Sequence, residues 1–245
     1  KPTQITRTAL LEYRDALQSK PRQANYAMSV ARLLFYWAED REKFTGKNPA
    51  RKPRRLKEGD GHRSWTDAEI EKYWTAHKGD DDRLLAAALG LFAGQRRGDV
   101  IRRNKTHWNG TEIVAVANKN GEQLWLHALP PLKALLDKIM PGRFMMLQRP
   151  DGKAFTERSF SAWFAEGRNA AGLPDDATFQ GLRTTAAEVL SEFCSDAQLQ
   201  AIFGWKTAKM AEHYRRRANK RSLALSGMKA WEERIAATNA KPPSD

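Results

Sequence analysis

The sequence has little cysteine and no long apolar run. Its single cysteine, Cys194, excludes an internal disulfide framework and favours a reducing compartment such as the cytoplasm. The longest apolar run, Leu84 to Ala93, includes Gly90 and falls far short of the roughly 20 residues that span a bilayer. The first residues show no signal-peptide core. The composition therefore excludes a small disulfide-stapled protein and predicts no membrane span.

Two kinds of chemical motif are also missing from the sequence. There is no His/Cys cluster with metal-ligand spacing, and no glycine-rich phosphate loop followed by Lys-Ser/Thr. We therefore predict neither a metal site nor a small-molecule cofactor. Internal repeats and low-complexity tracts are absent as well.

Positive charge is what the sequence has in excess. The 42 Lys and Arg residues outnumber the 29 Asp and Glu residues, which leaves a formal charge of +13. Such an excess is typical of proteins that bind a polyanion, because neutralising phosphates releases counterions. Charge alone does not separate DNA from RNA, and a basic protein that is merely soluble stays an alternative.

The first part of the chain has a helical pattern. Apolar residues recur at three- and four-residue spacing over Thr8 to Leu17 and Asn25 to Trp37. The second helix has a candidate core stripe of Met28, Val30, Ala31, Leu34, Phe35 and Ala38. Two helices make a thin domain, and the chain begins at Lys1 without a methionine, so we expect a further segment upstream.

A basic stretch follows between residues 46 and 63. It combines two prolines and several glycines with seven basic residues, which are Lys47, Arg51, Lys52, Arg54, Arg55, Lys57 and Arg63. This composition indicates a linker, either a solvated connector or a strand that crosses DNA. We predict a partial helical domain over 1–45, this linker over 46–63, a second domain over 64–230 and a tail over 231–245.

The second domain is predicted to be mainly helical with a small antiparallel sheet. Thr66 to Glu69 form a capping-box pattern, and Gly94 and Gly204 are natural helix ends. Asn120-Gly121 indicates a two-residue hairpin between strands Ile113–Ala117 and Gln123–Leu129. The other predicted helices are 84–93, 99–103, 132–139, 159–171, 182–193, 196–203 and 208–217, with Ser195 and Thr207 as N-caps.

Three stretches carry side chains suited to phosphate chemistry. Gly94 to Asp99 holds two arginines, whose planar guanidinium forks match two phosphate oxygens. Lys119 precedes the hairpin turn, where a side chain can enter a groove. The third stretch consists of Gln180 to Arg183, Gly204 to Thr207 and His213 to Arg215. Taken alone, each stretch also has an ordinary interpretation. The first could be surface arginines, the second an exposed lysine at a turn, and the third could contain a half-buried packing tyrosine.

Taken together and in this order, the three stretches resemble the catalytic domain of the tyrosine recombinases, the phage-integrase family. The family's Gly-x-Arg-x-x-Glu/Asp segment is matched by Gly94 to Asp99, and its hairpin lysine by Lys119. Its His-x-x-Arg box falls on Gln180 to Arg183. Its Gly-His/Trp pair falls on Gly204-Trp205, with the nucleophile nine positions later at Tyr214. The resemblance covers about residues 64–230, and the helices and linker before it resemble the end of the family's core-binding domain.

The resemblance implies a metal-free transesterification on double-stranded DNA. Tyr214 would attack the scissile phosphate and form a 3′-phosphotyrosine. Arg96 and Arg183 would clamp the non-bridging oxygens with Trp205 as a further donor, and Asp99 would brace Arg96. Lys119 would protonate the leaving 5′-oxygen. The implied DNA contacts of the linker are Arg51, Lys52, Arg54, Arg55 and Lys57, and the implied assembly is a homotetramer on DNA that integrates or excises a phage or mobile element.

Gln180 departs from the family, which usually has histidine at this position. Glutamine can position a phosphate oxygen or the tyrosine hydroxyl but cannot exchange a proton near neutral pH. A DNA-binding relative with impaired catalysis is therefore an alternative, and a type IB topoisomerase would share the chemistry. In the C-terminal segment, Met228, Trp231 and Ile235 fit docking on a neighbouring copy or folding back on the same domain equally well.

Overall fold

The computed structural model of the chain describes residues 4–59, 61–117, 121–139, 143–217 and 220–239. The chain divides into two compact units, Lys1–Gly61 and His62–Asp245. The described residues are mainly helical with one two-stranded antiparallel sheet, so the predicted fold class is confirmed. Every helix in this part of the chain is too short or too polar to be a membrane span.

Among its described residues the first unit contains two α-helices, α1 (Arg7–Ala16) and α2 (Pro21–Glu39). Thr6 caps α1, since its side chain accepts a hydrogen bond from the Ala9 N–H, and a proline opens the first turn of α2. The buried residues of α2 are Ala24, Asn25, Met28, Phe35 and Ala38. Phe35 also packs edge to face against Phe44, with ring centroids 4.9 Å apart.

The core stripe predicted for α2 is wrong at two positions. Val30 is 36% exposed and Leu34 is 61% exposed, whereas Met28 and Phe35 are buried. The reason is the 100° rotation per helical residue, which turns Val30 and Leu34 away from the line through Met28 and Phe35. Four further apolar residues are exposed beside them on this helix: Tyr26, Leu33, Tyr36 and Trp37.

The basic stretch packs on these two helices as far as Glu58, which accepts a hydrogen bond from Asn25 at 2.7 Å. The side chain of Asn25 donates to the Leu56 carbonyl and accepts from the Leu56 N–H, both at 2.9 Å. Arg14 donates to the Arg54 carbonyl at 2.9 Å. The five side chains predicted to contact DNA are all exposed: Arg51, Lys52, Arg54, Arg55 and Lys57. The domain assignment and the role of this stretch as a linker stay predictions.

The second unit contains nine further described helices and the sheet. The helices are α3 (Asp67–Ala76), α4 (Asp81–Leu91), α5 (Arg97–Val100), α6 (Pro130–Ile139), α7 (Glu157–Ala170), α8 (Phe179–Ser191), α9 (Asp196–Phe203), α10 (Ala208–Arg217) and α11 (Lys220–Asn239). A short 3₁₀ helix covers Lys105–His107. Strands β1 (Glu112–Val116) and β2 (Gln123–His127) pair antiparallel, with Glu112 opposite His127 and Val116 opposite Gln123.

Helix α4 lies at the centre of the second unit. Its residues from Leu85 to Gly90 are all buried, and it packs against α6 and α8. Gly90 permits the close approach of α8, because a Cβ there would lie 3.1 Å from the Phe179 ring and 3.2 Å from the Leu182 Cβ. This packing brings the C-terminal end of α4, which leads into the loop that carries Arg96, beside α8, which carries Gln180 and Arg183.

Local capping residues fix where the surrounding helices begin and end. The capping box predicted at Thr66 is present, with Glu69 as its partner, and Ser195 caps α9 in the same way. Gly204 ends α9 in the left-handed conformation, with φ of 61°. The start predicted for α8 is wrong: Thr178 is the N-cap, and the helix begins at Phe179.

Candidate active site

The two adjacent arginines in the loop after α4, Arg96 and Arg97, have different environments. Arg97 is exposed and pairs with Glu157 of α7 at 2.6 Å. Arg96 is half-buried, and its Nη1 atom is buried without a hydrogen-bond partner in the part of the chain that the structure describes. A buried donor of this kind is suited to bind an anion, because a hydrogen bond to it would remove the free-energy cost of a buried polar atom without a partner. Arg96 is therefore the candidate anion ligand of the pair.

Arg183 of α8 is held by two backbone carbonyls. Its guanidinium donates to the carbonyl of Gly94 and, at 3.1 Å, to the carbonyl of Phe203. It also lies over the Phe203 ring at 5.0 Å from the ring centroid. Only 4% of Arg183 is exposed. These contacts join the ends of α4 and α9 around one fixed positive charge.

Arg183 is not at a helix N-terminus, contrary to the sequence prediction. It is the fifth residue of α8, which begins at Phe179, so its position is one turn inside the helix. Anion binding by free N–H groups belongs to the first turn, where Thr178 already accepts from the Gly181 N–H. The contribution of Arg183 therefore comes from its side chain.

Three aromatic rings continue from Arg183 towards α10. The Phe203 ring stacks on Trp205 at a centroid distance of 4.6 Å, and Trp205 stacks on Tyr214 at 5.1 Å with an angle of 2° between the planes. Trp205 and Tyr214 are 7% and 9% exposed. The tyrosine is thus fixed in orientation by a stack that starts at Arg183.

Helix α10 is further anchored next to Tyr214. Arg215 donates to the carbonyls of Ser191 and Cys194, each at 3.2 Å, and pairs with Asp196. Cys194 itself is partly buried and packs against the cluster that contains Tyr214. These bonds tie the helix that carries the tyrosine to the end of α8 and the start of α9.

The electrostatics show that four predicted residues interact. Burial lowers the pKa of Arg183, and the charge of Arg96 lowers that pKa further, whereas Tyr214 and Asp99 raise it. An arginine starts from so high a pKa that its guanidinium stays charged at neutral pH. Two neighbouring guanidiniums, one with an unmet donor, make a site that an oxyanion would stabilise.

The remaining predicted residues have the following positions. Gln180 is half-buried and lies three residues before Arg183 on α8, so both side chains emerge on one side of the helix. Asp99 is buried, and its backbone N–H donates to the Arg96 carbonyl at 2.9 Å. Lys119 lies outside the described residues. The hairpin that flanks it closes through the Ala117 N–H, which donates to the Glu122 carbonyl at 2.8 Å.

Three residues in or beside the site were not predicted from the sequence. Phe203 supplies both a carbonyl and a ring to Arg183, but as an apolar residue at a helix end it resembles any core phenylalanine. Gln95 and Arg103 form a buried pair beside Arg96, with 2.8 Å between Gln95 Oε1 and Arg103 Nη2. The only sequence signal for Arg103 was its position four residues after Asp99, a spacing that places two side chains on the same side of a helix.

Gly94 is required by the close approach of Phe203. Its φ is 55°, and a Cβ there would lie 2.4 Å from a carbon of the Phe203 ring. We expect Gly94→Ala to lower the free energy of unfolding in urea by about 2–4 kcal/mol, from backbone strain plus overpacking. Gly79→Ala is the control: its φ is 97°, but no atom lies within 4 Å of the added Cβ. Equal losses in the two variants would contradict the steric argument.

Neither a protein-family model nor a curated protein sequence matches the chain. Solved structures do. A lambda integrase dimer bound to a COC′ core site gives a TM-score of 0.75 at 23% identity, over 86% of this chain and 80% of that one. The Tn1549 transposon integrase in complex with transposon right end DNA gives 0.72 at 14% identity, over 96% and 86%. The chain has the tyrosine-recombinase fold.

A third similar structure is a lambda integrase tetramer bound to a Holliday junction, with a TM-score of 0.74 at 24% identity. The match covers 87% of this chain but only 65% of that one, so the chain spans about two thirds of that integrase. At these identities the likeness establishes the fold and not the activity. The fold resemblance drawn from the sequence motifs is confirmed.

Proposed function

We propose that the protein is a site-specific DNA recombinase that cleaves and rejoins strands through a 3′-phosphotyrosine. The observation that carries the proposal is the position of the buried Arg183, which donates to the Gly94 carbonyl two residues before Arg96 and begins the stack of rings that ends at Tyr214. The unmet Nη1 donor of Arg96 is suited to a phosphate oxygen. Support also comes from the fold, which this chain shares with integrases solved in complex with DNA.

In the proposed cleavage step the Tyr214 hydroxyl loses its proton to solvent water and its oxygen attacks the scissile phosphorus. A bond forms between that oxygen and phosphorus, and the bond from phosphorus to the 5′-oxygen breaks. Arg96 and Arg183 stabilise the charge that grows on the non-bridging oxygens, and Lys119 transfers a proton to the leaving 5′-oxygen. Rejoining reverses these steps, with a 5′-hydroxyl from another strand as the attacking group.

We propose the following roles for the residues around this centre. Trp205 stacks on Tyr214 and fixes the ring, in addition to its proposed role as a donor. Asp99 interacts with the charge of Arg183, and we propose that it also braces Arg96. Gln180 positions a phosphate oxygen or the tyrosine hydroxyl without exchanging a proton.

We further propose that the protein acts as a homotetramer on double-stranded DNA. The described side chains of α11 are exposed, with Met228 58%, Trp231 59% and Ile235 46% exposed, which favours docking of this helix on a neighbouring copy. The exposed basic residues of the 46–63 stretch would contact the DNA backbone. The proposed biological task is integration or excision of a phage or mobile element.

A DNA strand that is nicked near the cleavage site tests the proposal. After cleavage the short 5′-hydroxyl fragment diffuses away, so the covalent protein–DNA species accumulates and is seen on a denaturing gel. We expect an adduct on DNA flanking the gene. Binding without any adduct would contradict the proposal and favour a non-catalytic DNA-binding relative, for which Gln180 is the specific observation. Exchange of strands between two duplexes would separate a recombinase from a topoisomerase.

Gln180→His is expected to speed cleavage and to make it depend on pH. The new imidazole can exchange a proton near neutral pH, so the rate should rise by about tenfold or more and follow a titration between roughly pH 6 and 8. Gln180→Asn is the control, because it changes the side-chain length without adding a titrating group. An unchanged rate and pH profile in the histidine variant would show that this position does not limit proton transfer.

A further inference from the structure

A second buried arginine lies beside the proposed centre. Arg103 is 3% exposed, although it is one of two adjacent arginines that follow α5. Its neighbour Arg102 is exposed and interacts with Glu157 on the outside of the unit. Burying a charge costs free energy that an apolar residue of similar size would not, so the position of Arg103 indicates a specific role.

The first partner of Arg103 belongs to the loop that carries Arg96. Its Nε and Nη2 atoms both donate to the Gln95 Oε1 atom, at 3.2 and 2.8 Å. Gln95 is 1% exposed and is itself fixed, since its N–H donates to the Leu89 carbonyl at 3.0 Å. Gln95 immediately precedes Arg96, so Arg103 supports the backbone from which the clamp arginine extends.

The second partner of Arg103 is the end of strand β1. Its Nη1 atom donates to the carbonyl of Val116 at 3.4 Å, and Val116 is the last residue of the strand. Lys119 follows three residues later in the sequence. On the other side of the hairpin, Gly204 lies close to Leu124. A Cβ added at Gly204 would lie 3.1 Å from Leu124 Cδ2. The base of the hairpin is thus held from both sides.

We propose that Arg103 is a positioning residue that fixes the hairpin bearing Lys119 relative to the loop bearing Arg96. The clamp and the general acid come from separate elements, and a phosphate must meet both at once. One guanidinium that bonds to both elements sets the distance between them. This inference rests on the proposed function, because it assigns Arg103 a part in the protonation step.

A sulfur-substituted DNA separates positioning of the general acid from general stability. When sulfur replaces the 5′-bridging oxygen of the scissile phosphate, the phosphorus–sulfur bond breaks and a thiolate leaves without needing a proton. We expect Arg103→Met to slow cleavage of ordinary DNA by roughly 10- to 100-fold, because small misplacements of catalytic groups have effects of this size. On the sulfur substrate the loss should shrink to within about threefold, as it should for Lys119→Ala.

Two control variants accompany this measurement. Arg102→Met makes the same change one residue away, at an exposed position, and should cleave both substrates like the unmodified protein. Arg183→Ala should stay impaired on both substrates, because its role does not involve the leaving oxygen. The proposal is overturned if Arg103→Met is impaired equally on both substrates, or if it cleaves ordinary DNA normally.

Hydrogen exchange tests the same inference without requiring cleavage. In Arg103→Met the amides of Ala117 and Gly121, which are bonded within the hairpin, should exchange faster, while those in α8 stay protected. Unchanged protection of the hairpin would overturn the positioning role even if the protein never forms an adduct, whereas a missing adduct alone counts against the proposed function. If Arg103→Met does not fold, Arg103→Lys keeps the charge but cannot bond to both partners, and the same outcomes apply.

Discussion

Replacing Tyr214 with phenylalanine should abolish the covalent protein–DNA adduct and leave DNA binding intact. The change removes only the hydroxyl, and the phenylalanine ring can keep the stack on Trp205. Loss of a nucleophile costs many orders of magnitude, so adduct formation should fall by at least about 10⁴-fold. The measurement is the nicked-DNA assay on a denaturing gel, with binding followed separately by a gel-shift titration.

Tyr73→Phe is the matched control for this experiment. Tyr73 is also a buried tyrosine in an aromatic cluster, where it stacks on Phe164 with ring centroids 5.5 Å apart. Deleting its hydroxyl should leave adduct formation unchanged. An adduct formed by Tyr214→Phe at the original rate would show that another group is the nucleophile, and would remove the main support for the proposed chemistry.

Arg183→Ala is expected to have the second largest effect. Arg183 is buried and held in one orientation by the carbonyls of Gly94 and Phe203, so its charge is preorganised. Removing one preorganised donor costs roughly 10²- to 10³-fold in rate, and we expect at least this loss in adduct formation. Binding should weaken by no more than about tenfold, since a single phosphate contact is lost among many.

Arg83→Ala is a close control for Arg183→Ala. The Arg83 guanidinium also lies over an aromatic ring, at 4.6 Å from the Trp163 centroid, and also donates to a carbonyl, that of Trp163 at 2.7 Å. Both variants lose a stacked arginine, but only one loses it beside Tyr214. After correction for the folded fraction, Arg183→Ala should therefore cleave DNA more slowly than Arg83→Ala. Similar corrected rates would assign Arg183 a purely structural role.

The helix caps and helix ends that were predicted correctly depend on short local sequence patterns. The capping box at Thr66, the cap at Ser195 and the end of α9 at Gly204 depend on a few adjacent residues, so they were readable from the sequence. The start of α8 was predicted too late, although Thr178 is a typical N-cap residue. The motif order was sufficient to predict the fold.

What the sequence could not give depends on packing between distant segments. Arg96 and Arg97 are adjacent and chemically alike, yet the Nη1 atom of Arg96 is buried whereas Arg97 is exposed and pairs with Glu157. Arg102 and Arg103 divide in the same way. Which member of each pair is buried is decided by the neighbouring elements, and no periodicity is defined over so short a helix as α5.

The stack from Arg183 through Phe203 and Trp205 to Tyr214 lies within one polypeptide. In the proposed reaction, a single subunit would therefore supply both its attacking group and the arginine that binds the phosphate. In an assembly of several copies, each copy would contain these parts of its own reaction centre. Any alternation between active and inactive subunits would then have to come from the contacts between copies. These contacts would control when a reaction centre is active without contributing atoms to it.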